Sequence, residues 1–118
     1  MGAMVSNPTR RREVGHAEVT EEELAPLYHL VLLDDDQHTY EYVIEMLGSI
    51  FGYGAQKAWA LARMVDTQGR VILETAPRER CEMHQGQIHA YGADPRIPTS
   101  VGSMTAILEE AGRPDSGG

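Results

Sequence analysis

The sequence predicts an α+β fold, in which a small three-stranded antiparallel sheet carries three packed helices in the order β-α-α-β-α-β. Three apolar stretches, within 27–33, 70–75 and 104–108, are short enough for strands. Between them, apolar residues recur at spacings of three and four, which is the helical period. With 118 residues and 42% hydrophobic composition, the chain is long enough for one domain core and too short for two.

The first strand is predicted over Leu27–Leu33, an apolar run that ends at three consecutive carboxylates, Asp34, Asp35 and Asp36. At an effective dielectric near 20, each close pair of such charges costs on the order of a few kcal/mol. A chain usually places them where a cation or a helix dipole offsets the repulsion. Taken alone, a solvated turn beside a helix N-terminus is the simpler interpretation, and a site for a positive group is the alternative.

Two helices are predicted to follow as a hairpin. The first begins after Thr39, which serves as the N-cap, and its apolar face extends to Phe51, before Gly52 and Gly54 interrupt it. The second ends at Gly69, a C-terminal cap. The apolar face of this second helix is predicted to comprise Ala55, Ala58, Trp59, Ala62 and Val65.

The remaining elements are a strand over Arg70–Thr75 and a third helix with Pro77 in its first turn. The glycines and prolines of 92–102 predict a loop. The last strand carries Met104, Ala106 and Leu108 in alternation with polar neighbours. The buried face of the third helix is predicted to be Cys81, His84, Ile88 and Tyr91.

The two ends of the chain are predicted to lie outside the folded domain, which covers 27–111. Residues 1–26 are rich in Glu, Arg, Gly and Pro and read as a flexible extension, and 112–118 as a disordered tail. The first 26 residues lack the apolar core of a signal peptide, and no run approaches a membrane span. We therefore expect a cytoplasmic protein without a membrane partner.

Charge and cysteine usage narrow the function further. The formal net charge is -8, and glutamates follow the only basic cluster, Arg10–Arg12, so no nucleic-acid partner is expected. Cys81 is the only cysteine, which excludes an intramolecular disulfide and a cysteine-type zinc site and favours a reducing compartment. We interpret Cys81 as a small buried hydrophobe rather than a nucleophile.

Motifs for catalysis, cofactors and metals are lacking in the sequence. There is no G-x-S-x-G, no Walker loop and no H-E-x-x-H, so we do not expect an enzyme or a cofactor. Mg²⁺ or Ca²⁺ on the three aspartates is chemically sensible, but calcium loops interleave their carboxylates with other residues, so no metal is predicted. The receiver domain of two-component signalling also begins with a strand ending in acids. That family needs a lysine after its later strands, whereas the single lysine of this chain, Lys57, lies in the second predicted helix. The receiver alternative is therefore disfavoured.

Several segments together resemble the ClpS adaptor family, which hands N-degron substrates to the Hsp100 unfoldase of a Clp protease. The resemblance spans Leu27 to Ala111, essentially the whole predicted domain. It rests on the order and spacing of its segments rather than on one motif. These segments are Tyr28–Tyr42, the I-E-M-L that follows, the F-G-Y break, the helix end at Gln68 and Gly69, and the closing A-I-L-E-E-A.

The resemblance implies a shallow pocket between the first two helices for the bulky apolar N-terminal residue of a substrate. The family's Asn-Asp-Asp turn and His, which bind the substrate α-amino group, correspond to Asp34, Asp35, Asp36 and Asp66. An ammonium group offers three donors, and carboxylates accept them with charge assistance. The implied apolar pocket comprises His38, Tyr40, Val43, Ala62, Val65 and Met104.

The chain departs from the family pattern inside this pocket. Acids replace the family's Asn and His at Asp34 and Asp66, and the usual Thr-Pro pair is His38–Thr39. Two methionines of the family are missing, at Tyr40 and Ala62. An alanine widens the cavity, whereas a tyrosine could refill it or narrow its mouth, so the accepted N-terminal residue is left open. Unpaired carboxylates at the rim should raise the pKa of one of them and make binding depend on pH.

On the third helix, the resemblance implies an unfoldase-docking surface of Glu79 and His84, where His84 stands in place of a basic residue. The predicted function is therefore an adaptor that binds N-terminal bulky apolar residues and delivers their proteins to a Clp-type AAA+ unfoldase. The alternative is a divergent ClpS-like domain that regulates the unfoldase, or binds another cationic ligand, without this selectivity.

Overall fold

The structure, a computed structural model, describes residues 25–112. The predicted α+β fold and its element order are confirmed. The predictions for 1–24 and 113–118 fall outside the described residues, and the last strand extends one residue past the predicted domain end. The elements are β1 (Leu27–Leu33), α1 (Tyr40–Phe51), α2 (Ala55–Gln68), β2 (Arg70–Pro77), α3 (Arg78–His89) and β3 (Thr105–Gly112).

Strand β1 is the centre of the sheet and pairs antiparallel with β2 on one side and β3 on the other. Its Leu30, Val31 and Leu32 are all fully buried. Buried side chains therefore project from both faces of this central strand. On the face away from the helices, Val31 is flanked by Ile72 of β2 and Ile107 of β3, which are its partners in the register.

The helices cover the other face of the sheet and complete the core. Leu30 and Leu32 project toward them, since side chains of a strand alternate between faces. The thiol of Cys81 is fully buried, and burial raises its pKa, which keeps it protonated and unreactive. The helical contribution to this core is Tyr42, Val43, Met46, Leu47, Ala58, Ala62, Val65, Cys81 and Ile88.

Local signals at the helix ends fix where the chain turns. Thr39 caps α1 by accepting the Tyr42 N–H at 3.1 Å. Gly52 at φ 73° and Gly69 at φ 85° adopt the left-handed conformation that ends α1 and α2. The carbonyl of Gly69 then accepts the backbone N–H of Asp34 at 3.0 Å. This bond ties the end of α2 to the end of β1, where the acidic turn begins.

Two aromatic residues predicted on buried helix faces lie at the surface instead. Trp59 is 47% exposed, because the contact of α2 with the core is a narrow stripe of Ala58, Ala62 and Val65. Tyr91 is exposed beyond the end of α3. Its ring packs edge-on against Tyr42, with centroids 5.4 Å apart.

Pro77 is the last residue of β2 and the N-cap of α3, rather than a residue of the first helical turn, since its φ of -57° and ψ of 154° are extended. Within the part of the chain that the structure describes, no helix has the length and apolar character needed to cross a membrane.

Candidate functional site

A small cavity lies where the end of β1, the start of α1 and the end of α2 meet. Its volume is about 40 Å³. We call it the acidic pocket. It is lined by Asp34, Asp35, His38, Thr39, Tyr40, Val43, Ala62, Val65, Asp66 and Met104. Every predicted pocket residue except Asp36 lines it, together with Thr39, whose sequence signal indicates only a helix cap.

The rim of the acidic pocket carries several carboxylates because the end of β1 is tied to the end of α2. The bond from the Asp34 N–H to the Gly69 carbonyl brings Asp34 beside the last turn of α2, which carries Asp66. The carboxylate of Asp35 accepts the backbone N–H of Gln37 at 2.9 Å, which holds the turn in a fixed shape. Three carboxylates, Asp34, Asp35 and Asp66, therefore face one cavity.

Asp36 is directed elsewhere. Its carboxylate accepts the side-chain amide of Gln37 at 3.1 Å, and it is exposed outside the lining of the acidic pocket. The sequence pattern alone cannot distinguish it from its two neighbours, because adjacent residues of a turn have no fixed periodicity. Contact of Asp36 with a substrate α-amino group stays a prediction that this placement does not favour.

The pKa of Asp34 is raised above its ordinary value. Partial burial contributes most, and the charges of Asp66, Asp35 and Asp36 add to it, against a hydrogen bond from the Asp35 backbone N–H. The sequence predicts a raised pKa from repulsion alone. The direction agrees, but the loss of hydration is the larger cause.

Tyr40 and Asp66, which both line the acidic pocket, are hydrogen-bonded to each other. The Tyr40 hydroxyl donates to Asp66 Oδ2 at 2.7 Å. This bond is the main reason why the pKa of Tyr40 is raised, because the phenol must keep its proton to donate it. A cavity of roughly 150 Å³ is known to accept benzene, so the acidic pocket is too small here for an aromatic ring. Tyr40 and Ala62 both line this small space.

His38 connects the acidic turn to the loop before β3. Its Nδ1 lies 2.8 Å from Asp35 Oδ1, and its Nε2–H donates to the Gly102 carbonyl at 2.7 Å. Both ring nitrogens therefore face hydrogen-bond acceptors. The ring also packs at 4.5 Å from that of Tyr42. His38 lines the acidic pocket and also orients Asp35.

Asp94 is the structurally important residue that the sequence does not single out. It is 1% exposed, and its Oδ2 accepts both the N–H of Thr39 at 2.7 Å and the Thr39 hydroxyl at 2.8 Å. Its Oδ1 accepts the backbone N–H of Arg96 at 3.0 Å. Burial alone would raise the pKa of Asp94, but these hydrogen bonds outweigh it and lower the pKa to about 2. Asp94 thus fixes the start of α1, and with it one wall of the acidic pocket.

The predicted docking residues of α3 differ in their accessibility. Glu79 is exposed and borders a broad depression of about 830 Å³, which also includes Tyr28 and Arg78. His84 is 7% exposed, is hydrogen-bonded to Glu74 and packs 4.5 Å from Phe51. His84 therefore lies on the buried face of α3, as its helical spacing predicts. The docking role of both residues stays a prediction, for which Glu79 offers the accessible side chain.

Metal binding has no support in the arrangement of side chains. Within residues 25–112, no group of three or more histidine, cysteine, aspartate or glutamate side chains is placed to hold a metal ion. The three carboxylates of the acidic pocket are instead arranged around an apolar floor of Val43 and Val65. Such a floor suits a ligand with a cationic end and an apolar body.

Comparison with known proteins decides the family. Residues 23–98 match the family described as ATP-dependent Clp protease adaptor protein ClpS. The chain belongs to the ClpS family. The resemblance drawn from the sequence is therefore confirmed.

Individual ClpS proteins are distant relatives. The ATP-dependent Clp protease adapter protein ClpS of Desulforapulum autotrophicum is 26% identical over 94 residues, which cover 80% of this chain and 90% of that protein. ClpS of Nautilia profundicola is 27% identical over 84 residues, covering 71% and 81%. The solved structure of Agrobacterium tumefaciens ClpS2 bound to L-phenylalaninamide matches with a TM-score of 0.62 at 19% identity, covering 72% of this chain and 96% of that one. This last likeness concerns the fold.

Proposed function

We propose that the acidic pocket binds the N-terminal residue of substrate proteins and that the protein presents them to a Clp-type AAA+ unfoldase. The substrate α-ammonium group lies against Asp34, Asp35 and Asp66, and its side chain points toward Val43 and Val65. The observation that carries this proposal is the convergence of three carboxylates on one apolar-floored cavity. An ammonium group supplies the positive charge and the donors that such a rim requires.

Few positive groups pair with the rim carboxylates within the described part of the chain. Within residues 25–112, no arginine or lysine forms an ion pair with Asp34, Asp35 or Asp66, and the one contact of this kind is that of His38 with Asp35. Elsewhere in the same domain, carboxylates are paired with arginine, as Glu109 is with Arg70. The raised pKa of Asp34 shows that negative charge at the rim is poorly compensated, so an incoming cation is favoured there.

The chemistry of a ligand bound by a related protein supports the same proposal. L-Phenylalaninamide, bound to Agrobacterium tumefaciens ClpS2, has a free α-amino group, an apolar ring and an amide in place of a carboxylate. It therefore imitates the first residue of a polypeptide.

The alternative function, regulation of the unfoldase or binding of another cation, is favoured by the small volume of the acidic pocket. Binding measurements with peptides separate the two.

Acetylation of the substrate N-terminus is expected to abolish binding. A fluorescently labelled peptide that begins with Leu or Phe should bind, and its N-acetylated twin should bind at least about 30-fold more weakly, because hydrogen bonds to charged groups contribute roughly 1.5–3 kcal/mol each. Fluorescence anisotropy measures both affinities. A peptide beginning with Gly keeps the ammonium group but lacks the side chain, and should also bind weakly. Equal affinity for the free and acetylated peptides would contradict the proposal.

The affinity is expected to depend on pH as a bell-shaped curve. The peptide favours ionised Asp34, so binding releases its proton, and affinity should rise with pH from the ordinary value of 3.8 through the raised pKa. Affinity should fall again above about pH 8, where the peptide α-amino group loses its charge. Asp34→Asn should flatten the acidic limb, while Asp36→Asn should leave it nearly unchanged. An acidic limb of the same shape in both variants would contradict this assignment to Asp34.

A further inference from the structure

We propose that Tyr40 and Asp66 form a latch that holds the acidic pocket closed in the free protein, and that the substrate α-ammonium group opens it by competing for Asp66. This inference rests on the proposed function and adds a means of regulating access to the same site. The two residues of the latch occupy different helices, since Tyr40 begins α1 and Asp66 lies in the last turn of α2. A single hydrogen bond joins them across the opening.

The closed state follows from size. With Tyr40 bonded to Asp66, the acidic pocket has a volume of about 40 Å³. That space holds a water molecule or a methyl group, but roughly 150 Å³ is needed for a ring the size of benzene. An N-terminal Leu or Phe can therefore enter only when the Tyr40 ring moves away from the mouth.

The latch is weak enough to open. Tyr40 is only partly buried at the edge of the core, and Asp66 is exposed. A hydrogen bond to a carboxylate favours the closed state by roughly 10- to 100-fold, and by less where water competes for it. An open state populated at about 1–10% is sufficient for binding and lowers the apparent affinity by the same fraction.

The substrate itself supplies the group that releases the latch. The Tyr40 hydroxyl is a neutral donor to Asp66, whereas an α-ammonium group is a charged donor that forms a stronger bond with the same carboxylate. An ammonium group that takes Asp66 Oδ2, the oxygen to which Tyr40 donates, displaces the Tyr40 hydroxyl from it, and the ring is then free to leave the mouth. An acetylated N-terminus lacks the charge and leaves the latch closed.

Trp59 provides a direct signal of this movement. It is the only tryptophan of the chain. Its ring centroid lies 6.4 Å from that of Tyr40, and half of its surface is accessible. A change in the position of the Tyr40 ring should therefore change the fluorescence of Trp59. This signal can be read without any peptide.

The test compares the wild-type protein with Tyr40→Phe, which keeps the ring and removes the hydroxyl. Tyr53→Phe is the matched control, because it removes a tyrosine hydroxyl that donates to the Leu73 carbonyl at 2.8 Å, away from the acidic pocket. We expect Tyr40→Phe to shift Trp59 fluorescence in the free protein and to bind a peptide with N-terminal Phe about 5- to 50-fold more tightly, mainly through a higher kon. Tyr53→Phe should match the wild type in both measurements.

Other outcomes separate the latch from the proposed function. If wild type and Tyr40→Phe bind the peptide equally, or if Trp59 fluorescence is the same in both free proteins, the latch is overturned while N-terminal binding stands. If neither protein binds the peptide, the proposed function fails, and the opening of the latch by an ammonium group fails with it.

Discussion

Replacing Asp66 by lysine is expected to weaken the binding of a peptide with a free apolar N-terminus by at least about 100-fold. The substitution removes one charge-assisted acceptor, which contributes roughly 1.5–3 kcal/mol. It also places an ammonium group beside the position of the peptide's own, and two like charges about 4 Å apart repel by on the order of 4 kcal/mol at an effective dielectric of 20. Peptide anisotropy measures the loss.

The fold should tolerate this change. Asp66 is exposed in the last turn of α2, which contains no basic residue, and a cation near a helix C-terminus is favourable. Asp36→Lys is the matched control, since it makes the same change in charge in the neighbouring turn, outside the lining of the acidic pocket. It should weaken binding less than about 5-fold, and by less again at high salt. A similar loss in both variants would mean that only the overall field matters.

Replacing Asp94 by alanine is expected to destabilise the domain by about 2–4 kcal/mol, because a buried donor left unpaired costs about 1–3 kcal/mol and a lost helix cap about 1 kcal/mol more. Two groups of Thr39 and the backbone of Arg96 lose their acceptor together. Urea unfolding should show a lower midpoint with an unchanged slope. Asp36→Ala, at an exposed site, should stay within about 0.5 kcal/mol of the wild type.

The stabilisation by Asp94 should also depend on pH in a defined window. Because its pKa is lowered from 3.8 to about 2, Asp94 binds protons less readily in the folded state than in the unfolded state. Its contribution is therefore complete above its ordinary pKa and is lost as pH falls from about 4 to about 2. The difference in free energy of unfolding between wild type and Asp94→Asn should shrink over this range. A constant difference from pH 6 to pH 2 would contradict the assignment.

The sequence reveals the role of Asp66 but not that of Asp94. Asp66 could be assigned to the site because the resemblance to ClpS proteins fixes its position relative to the acidic turn, and the structure places it at the acidic pocket. Asp94 gives no such signal, because an aspartate before a proline in a loop is ordinary. Its partner Thr39 lies 55 residues earlier in the chain, and no periodicity reports that approach.

The sequence by itself determined the elements and their order. Strand β1, the Thr39 cap and the glycine ends of α1 and α2 follow from local apolar spacing and backbone preferences, which act between residues close in the chain. Only the tertiary structure decided that Asp36 lies outside the lining of the acidic pocket, that Trp59 is exposed and that the Tyr40 hydroxyl donates to Asp66. Which side chain fills a cavity or accepts a hydrogen bond depends on distances between segments far apart in the chain. Those distances become fixed only when the segments pack against each other.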